Sequence, residues 1–127
     1  MKQHLAPQAL IEKKIRQIIE FGNYEAAYLF SREGLPIAHA VTSGDVDADR
    51  LAELSLMFQE IQRVTNSLGG IDELKEVFVE GKNQRKVIFR FFEAFGEDVV
   101  LAVVIPPRKT YRKHTNDLQR LILGIEL

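Results

Sequence analysis

Apolar residues recur at three- and four-residue spacing from Gln8 to Phe21, where Leu10, Ile11, Ile15, Ile18 and Ile19 define one face of a helix. Pro7 stands where a first-turn proline is tolerated, and Gly22-Asn23 ends the segment. The period then shortens. Ala26 to Ser31 is an apolar run of strand length, Arg32-Glu33-Gly34 supplies a turn, and Leu35 to Val41 returns as a second strand. Pro36 lacks the donor that a central strand needs, so this second strand belongs at an edge. Thr42 to Val46 reads as a polar loop. Asp47 or Asp49 then caps a long helix that reaches about Leu68, with an acidic start suited to the helix dipole and Gly69-Gly70 as its stop.

Three more strands follow. Leu74 to Glu80 alternates around Val77, Phe78 and Val79, and the neighbouring Lys75, Glu76 and Glu80 give it the charge pattern of an edge. Gly81 to Gln84 turns the chain into Val87 to Phe92, nearly all apolar except Arg90. Glu93 to Asp98, with Gly96 inside, turns it again into Val99 to Ile105. That continuous apolar strand must be covered on both faces. Pro106-Pro107 stops it, and a last helix from about Thr110 to Ile125 sets Tyr111, Leu118, Ile122 and Ile125 on one side. The order α-β-β-α-β-β-β-α predicts an α/β three-layer sandwich, a five-stranded antiparallel sheet with helices on both faces. Residues 1–127 are expected to form one domain, with residues 1–7 as a flexible N-terminal segment.

Composition narrows the function. With 127 residues, 46% hydrophobic and 28% charged, the chain has ordinary globular content and can bury a core without staples. A net charge of −1 supplies no global field toward nucleic acid or membrane, so no nucleic-acid partner is expected. The absence of cysteine excludes disulfides, a thiol nucleophile and thiolate metal sites. No apolar signal-like region opens the chain, and Val99 to Ile105 is too short to span a bilayer. The expectation is a cytoplasmic protein without a transmembrane segment.

No catalytic constellation emerges. His4, His39 and His114 are scattered, with no neighbour at metal-ligand spacing. Gly69-Gly70 is followed by Ile71-Asp72 rather than Lys-Ser/Thr, and it closes a helix where a phosphate loop would open one. Asp45, Asp47, Asp49 and Glu53 suit capping and the helix dipole, and they lack the glycine and terminal glutamate of a calcium loop. A non-enzyme with no metal and no cofactor is expected.

The long middle helix carries the more informative pattern. At 100° per residue, Leu51, Leu54, Met57, Phe58, Ile61, Val64, Thr65 and Leu68 fall in one broad apolar arc, expected to be the core face. Beside it lie Ala52, Ser55, Gln59, Gln62 and Asn66, uncharged and partly small, a strip that permits a second helix to approach in a homodimer. Glu53, Glu60 and Arg63 lie further round, with Leu56 alone among them. Val77, Phe78 and Val79 of the third strand offer an unpaired ladder to a symmetry mate. Arg108, Lys109, Arg112 and Lys113 crowd the start of the last helix, where cations oppose the dipole; the choice there is between a solvated face and a surface for an anionic partner.

The segment Ala27-Tyr-Leu-Phe-Ser-Arg-Glu-Gly34-Leu-Pro-Ile-Ala38, with the helix after an acidic loop at Asp45 to Leu68, resembles the Roadblock / dynein light chain family. The resemblance covers about Gln8 to Ile125, and the layout is shared with profilin-like, longin and PAS-like domains. It implies homodimers in which third strands pair into one sheet and middle helices lie side by side. It also implies a platform for a Ras-like small GTPase, as in bacterial gliding-polarity systems where similar domains stimulate hydrolysis without an arginine finger. Glu53, Leu56, Glu60 and Arg63 are then the expected GTPase contacts, and Ala52, Ser55, Gln59, Gln62, Asn66 and Val77 to Val79 the dimer contacts. The last helix departs from the family, having Lys109-Thr-Tyr-Arg-Lys113 where an Asn-Leu-Gly-like opening is common. Two other readings stand beside this one: a nucleotide-independent adaptor or scaffold, and a PAS-like small-molecule sensor.

Overall fold

A computed structural model describes residues 6–42, 45–71 and 73–125. The elements are α1 (Pro7–Gly22), β1 (Ala26–Phe30), β2 (Pro36–Val41), α2 (Ala48–Asn66), β3 (Glu76–Glu80), β4 (Lys86–Ala94), β5 (Glu97–Ile105) and α3 (Arg112–Leu123). The five strands form one antiparallel sheet in the order β2-β1-β5-β4-β3. Both strands expected at edges are there. The predicted flexible segment falls mainly on residues 1–5, His4 among them, which lie outside the described residues, whereas Pro7 is the first residue of α1. Part of the predicted loop from Thr42 to Val46 also lies outside them.

β5 occupies the centre, and every residue from Val99 to Ile105 is buried. Alternate side chains therefore need a layer on each side. Val99, Leu101, Val103 and Ile105 face α1 and α3, which bring Ile11, Ile15, Ile18, Ile19, Leu118 and Ile122, all buried. Val100, Ala102 and Val104 face α2 with Ala26, Tyr28, Phe30 and Phe89. Asp47 caps α2, its carboxylate accepting from the amides of Asp49 and Arg50 at 3.1 and 3.2 Å. α2 ends at Asn66, two residues before Leu68, because Ser67 turns back to bond Val64 and Gly69 and Gly70 take positive φ. α3 begins at Arg112, leaving Tyr111 at its cap.

The two helical layers are unequally buried, which corrects the predicted core arc of the middle helix. Of that arc only Leu51 is buried, with Phe58 half-buried against the Phe89 ring at 4.8 Å. Leu54, Met57, Ile61, Val64 and Leu68 are exposed. The sheet-facing strip is instead Leu51, Ser55 and Phe58, with Ala52, Gln59 and Gln62 half-buried beside it. Ser55 tolerates full burial because its hydroxyl donates to the Ala52 carbonyl at 2.7 Å, leaving no unmet donor.

On the sheet face away from α2, Arg90 is the buried charged residue of β4. It is 4% exposed, yet its guanidinium donates to Glu76 Oε1 at 2.9 and 3.3 Å and to Asn116 Oδ1 at 2.5 Å. The Tyr111 hydroxyl donates to Glu76 Oε2 at 3.1 Å. This network ties α3 to the outer strands, and its loss is costly because a buried guanidinium would be left without its counter-ion. Glu76→Leu is expected to destabilise the fold by about 3 kcal/mol, and adding Arg90→Met to recover most of that loss. Denaturant titration of both variants checks this; a double variant no more stable than the single would contradict it.

Candidate functional site

α2 presents three sides, and their chemistry differs. One meets the sheet. A second borders the β1–β2 turn and the β4–β5 hairpin, where a groove of about 690 Å³ opens. The structure brings six of the predicted residues together there: Leu56, Gln59, Glu60, Gln62, Arg63 and Asn66 all line it. Arg32, Glu73, Glu93 and Asp98 complete its polar wall, so four carboxylates face two guanidiniums and the groove is acidic. Phe91 and Phe92 lie in it as well.

The β1–β2 turn positions this groove. The Ser31 amide donates to the Leu35 carbonyl, and the Ser31 carbonyl accepts from Gly34, which sits at φ +83°, a conformation that favours glycine. A Cβ at Gly34 would meet the Leu56 side chain at 3.1 Å, so the turn lies directly on α2. The Gln59 amide adds a hydrogen bond of 3.2 Å to the Arg32 carbonyl. Leu35, next in the chain, is 65% exposed. Arg32, Leu35, Glu73, Glu93 and Asp98 were not predicted as site residues. The motif running through Arg32 and Leu35 held the available signal, whereas the three acids come from segments that only the folded sheet unites.

Along the outer side of α2, charges pair locally. Arg63 donates to Glu60 Oε1 at 2.5 and 2.8 Å, a bond and a charge that together hold the Arg63 pKa above its ordinary value. Arg50 and Glu53 pair at 2.7 Å nearer the start of the helix, so Glu53 stands outside the groove but on the same strip. All four side chains are more than half exposed. Among the described residues, no three His, Asp or Glu side chains cluster so as to hold a metal ion, and no helix is long and apolar enough to cross a membrane.

The third side of α2 is apolar. Leu54 joins Leu51, Val79, Val87 and Val104 around a groove of about 310 Å³ between the start of the helix and the β3–β4 turn. Met57, Ile61 and Val64 continue the exposed stripe down the helix, and Leu68 extends it into the turn beyond. Among the described residues β3 pairs with β4 alone, and its other edge is open. Val77 packs toward α2, while Phe78 points to the opposite face and stacks on Tyr111 at 6.3 Å. Of the residues predicted for helix pairing, Ser55 is corrected: it is fully buried against the chain's own sheet and cannot reach a second molecule. Ala52, Gln59 and Gln62 are half-buried on the sheet or groove sides, and Asn66 lies in the acidic groove.

The gliding protein MglB of Thermus thermophilus superposes with a TM-score of 0.78 at 16% identity, covering 95% of this chain and 91% of that one. MglB of Myxococcus xanthus gives 0.75 at 19% identity, covering 90% and 92%. A Roadblock/LC7 domain from Streptomyces avermitilis gives 0.66 at 18%, covering 87% and 90%. At these identities the likeness establishes the fold. No curated protein sequence matches the chain. The Roadblock/LC7 domain family, however, matches residues 11–104, from the first helix nearly to the end of β5, and the chain belongs to that family.

Proposed function

We propose that this protein is a non-catalytic homodimeric platform that binds a Ras-like small GTPase and modulates its nucleotide cycle. The observation that carries the reading is the exposed apolar stripe of α2, which runs beside the open edge of β3. Four large apolar side chains in one line on a helix, with Leu68 in the turn that follows, next to an open strand edge, form a surface that water solvates poorly. A second copy of the chain covers both features at once. Its β3 continues the sheet and its α2 packs along Leu54, Met57, Ile61, Val64 and Leu68. Val77, Phe78 and Val79 retain their predicted place at this contact, while the helix contribution moves from the strip around Ser55 to the apolar stripe.

Edge charge is the objection to strand pairing, since acidic residues on an edge repel a copy of themselves. Here Glu76 is turned onto the buried Arg90 and the Tyr111 hydroxyl, which removes much of that repulsion. Assembly of copies has a parallel in a structural neighbour described as MglB with tetrameric arrangement. Light scattering of the chain at micromolar concentration is expected to give twice 14.5 kDa. Ile61→Arg with Val64→Arg should halve that mass and keep the circular dichroism spectrum, both side chains being exposed in the single chain. A monomeric parent protein would sink the dimer.

Pairing along the apolar stripe leaves the outer strip of α2 free. Glu53, Leu56, Glu60 and Arg63 then form the GTPase platform, with the acidic groove beside them and the exposed Leu35 next to the turn that touches Leu56. The family resemblance supports a Ras-like partner. Without a supplied arginine, the platform would act by binding one switch arrangement of the GTPase better than another, since only differential affinity shifts an equilibrium. A pull-down from native lysate is expected to recover a Ras-sized protein with a GTP analogue present and not with GDP. Glu60→Arg with Arg63→Glu should lower that affinity by about tenfold, the cost of reversed charge at a contact of this kind. The swap preserves the exposed local ion pair, so the fold is expected to be unchanged. Unchanged affinity would remove the strip from the interface, and one partner recovered equally in both arms would favour a nucleotide-independent adaptor.

A further inference from the structure

The helical layer opposite α2 carries charge that the fold does not use. Arg108, Lys109, Arg112 and Lys113 fall within six residues at the entry to α3, and all four are exposed. None of the ion pairs among the described residues involves them; Arg112 lies over the Tyr111 ring at 6.0 Å. At the start of a helix these cations oppose the dipole and repel one another, so they lower stability where they stand. Their use lies outside the fold.

An exposed aromatic belongs to the same corner. Phe21, near the end of α1, is 84% exposed, more than any other large apolar side chain described. Its neighbour Gly22 lies against the Tyr24 ring, so close that a Cβ there would meet the ring at 2.5 Å. The Tyr24 hydroxyl in turn donates to the Thr110 carbonyl, and its ring meets His114 edge-on at 5.9 Å. The end of α1 is thereby fastened to the entry of α3, and Phe21 is held at the same end of the layer as the four cations.

We propose that this corner docks onto an anionic lipid bilayer, with Arg108, Lys109, Arg112 and Lys113 at the headgroups and Phe21 in the interface. Charge complementarity selects an anionic occupant, and the form of the corner selects a membrane. The cations and the aromatic come from the ends of two helices and the loop between β5 and α3, and neither groove flanking α2 includes them. Lipids rearrange around long flexible cations and admit an aromatic ring without a complementary cavity, whereas a folded acidic protein needs matched shape. The corner lies on the face of the sheet away from α2, so docking leaves the proposed GTPase platform open. Pairing through β3, if it occurs as proposed, keeps both corners on one side of a continuous sheet, and two weak contacts then act together. The single corner does not depend on that pairing.

Co-sedimentation of the full chain with phosphatidylcholine vesicles, with and without phosphatidylglycerol, tests the inference. Binding is expected only to the anionic vesicles and to fall as salt rises. Replacing Arg108, Lys109, Arg112 and Lys113 by serine should lower the partition coefficient by about a hundredfold or more, with an unchanged circular dichroism spectrum. Phe21→Ser should lower it several-fold while leaving the salt dependence intact, which separates insertion from charge. Equal binding to neutral vesicles, or full binding by the serine variant, would overturn the proposal. So would capture of poly-glutamate, but not of vesicles, which would assign the corner to an acidic protein.

Discussion

The two-sided burial of β5 governs the rest of the molecule. A strand whose seven residues from Val99 to Ile105 are all withdrawn from water obliges the chain to build a layer on each face of the sheet. One face receives two helices, whose four isoleucines from α1 and two large aliphatics from α3 cover its centre. The other receives α2 alone. A single helix is about 10–12 Å across with its side chains, whereas five strands at about 4.8 Å spacing spread over roughly 20 Å. One helix cannot cover that width. The side of α2 that borders the uncovered outer strand is the one that carries the stripe of exposed leucine, methionine, isoleucine and valine.

Much of this was legible in the chain. Pro36 and the charges around Val77 to Val79 point to both edges, the unbroken run from Val99 calls for cover on both faces, and Asp47 or Asp49 brackets the start of α2. The orientation of α2 was not legible. Seven apolar residues and Thr65 defined an arc wide enough to look like a core face, and Ser55 and Gln62 looked like its flank. Periodicity counts apolar residues; it does not record that a serine satisfied by its own helix can be buried as readily as an alanine. With Ser55 and Ala52 toward the sheet the helix lies close to it, and the larger aliphatics turn sideways.

Arg90 illustrates the same limit. On β4 its neighbours Phe89 and Phe91 gave no sign of a cation at 4% exposure, because its partners come from β3 and from α3, distant in sequence. The acidic groove is likewise assembled from four segments, and the chain's pattern points only to the part on α2, through residues it divides between two surfaces. Local pattern fixes which element a residue occupies; the sheet order decides what stands opposite. Residues that share one helix side, such as Leu56, Glu60 and Arg63, could be grouped in advance. Their companions Glu73, Glu93 and Asp98 required the hairpins to be in place.

The three sides of α2 divide the work of the domain in a way that bears on stability. Its sheet side holds few fully buried residues, so the helix contributes less to the isolated fold than α1 does. Covering the apolar stripe by a second copy would add the missing burial, and the helix would then be secured by both its own sheet and its twin. Folding and pairing become linked in that case, with stability rising as protomer concentration rises. The outer strip gains from the same event, because residues on a helix held from two sides are fixed before a partner arrives, and less ordering remains to be done on binding. An under-covered sheet face is thus consistent with a binding platform: the deficit that exposes the stripe in one chain is what would align Glu53, Leu56, Glu60 and Arg63 in two.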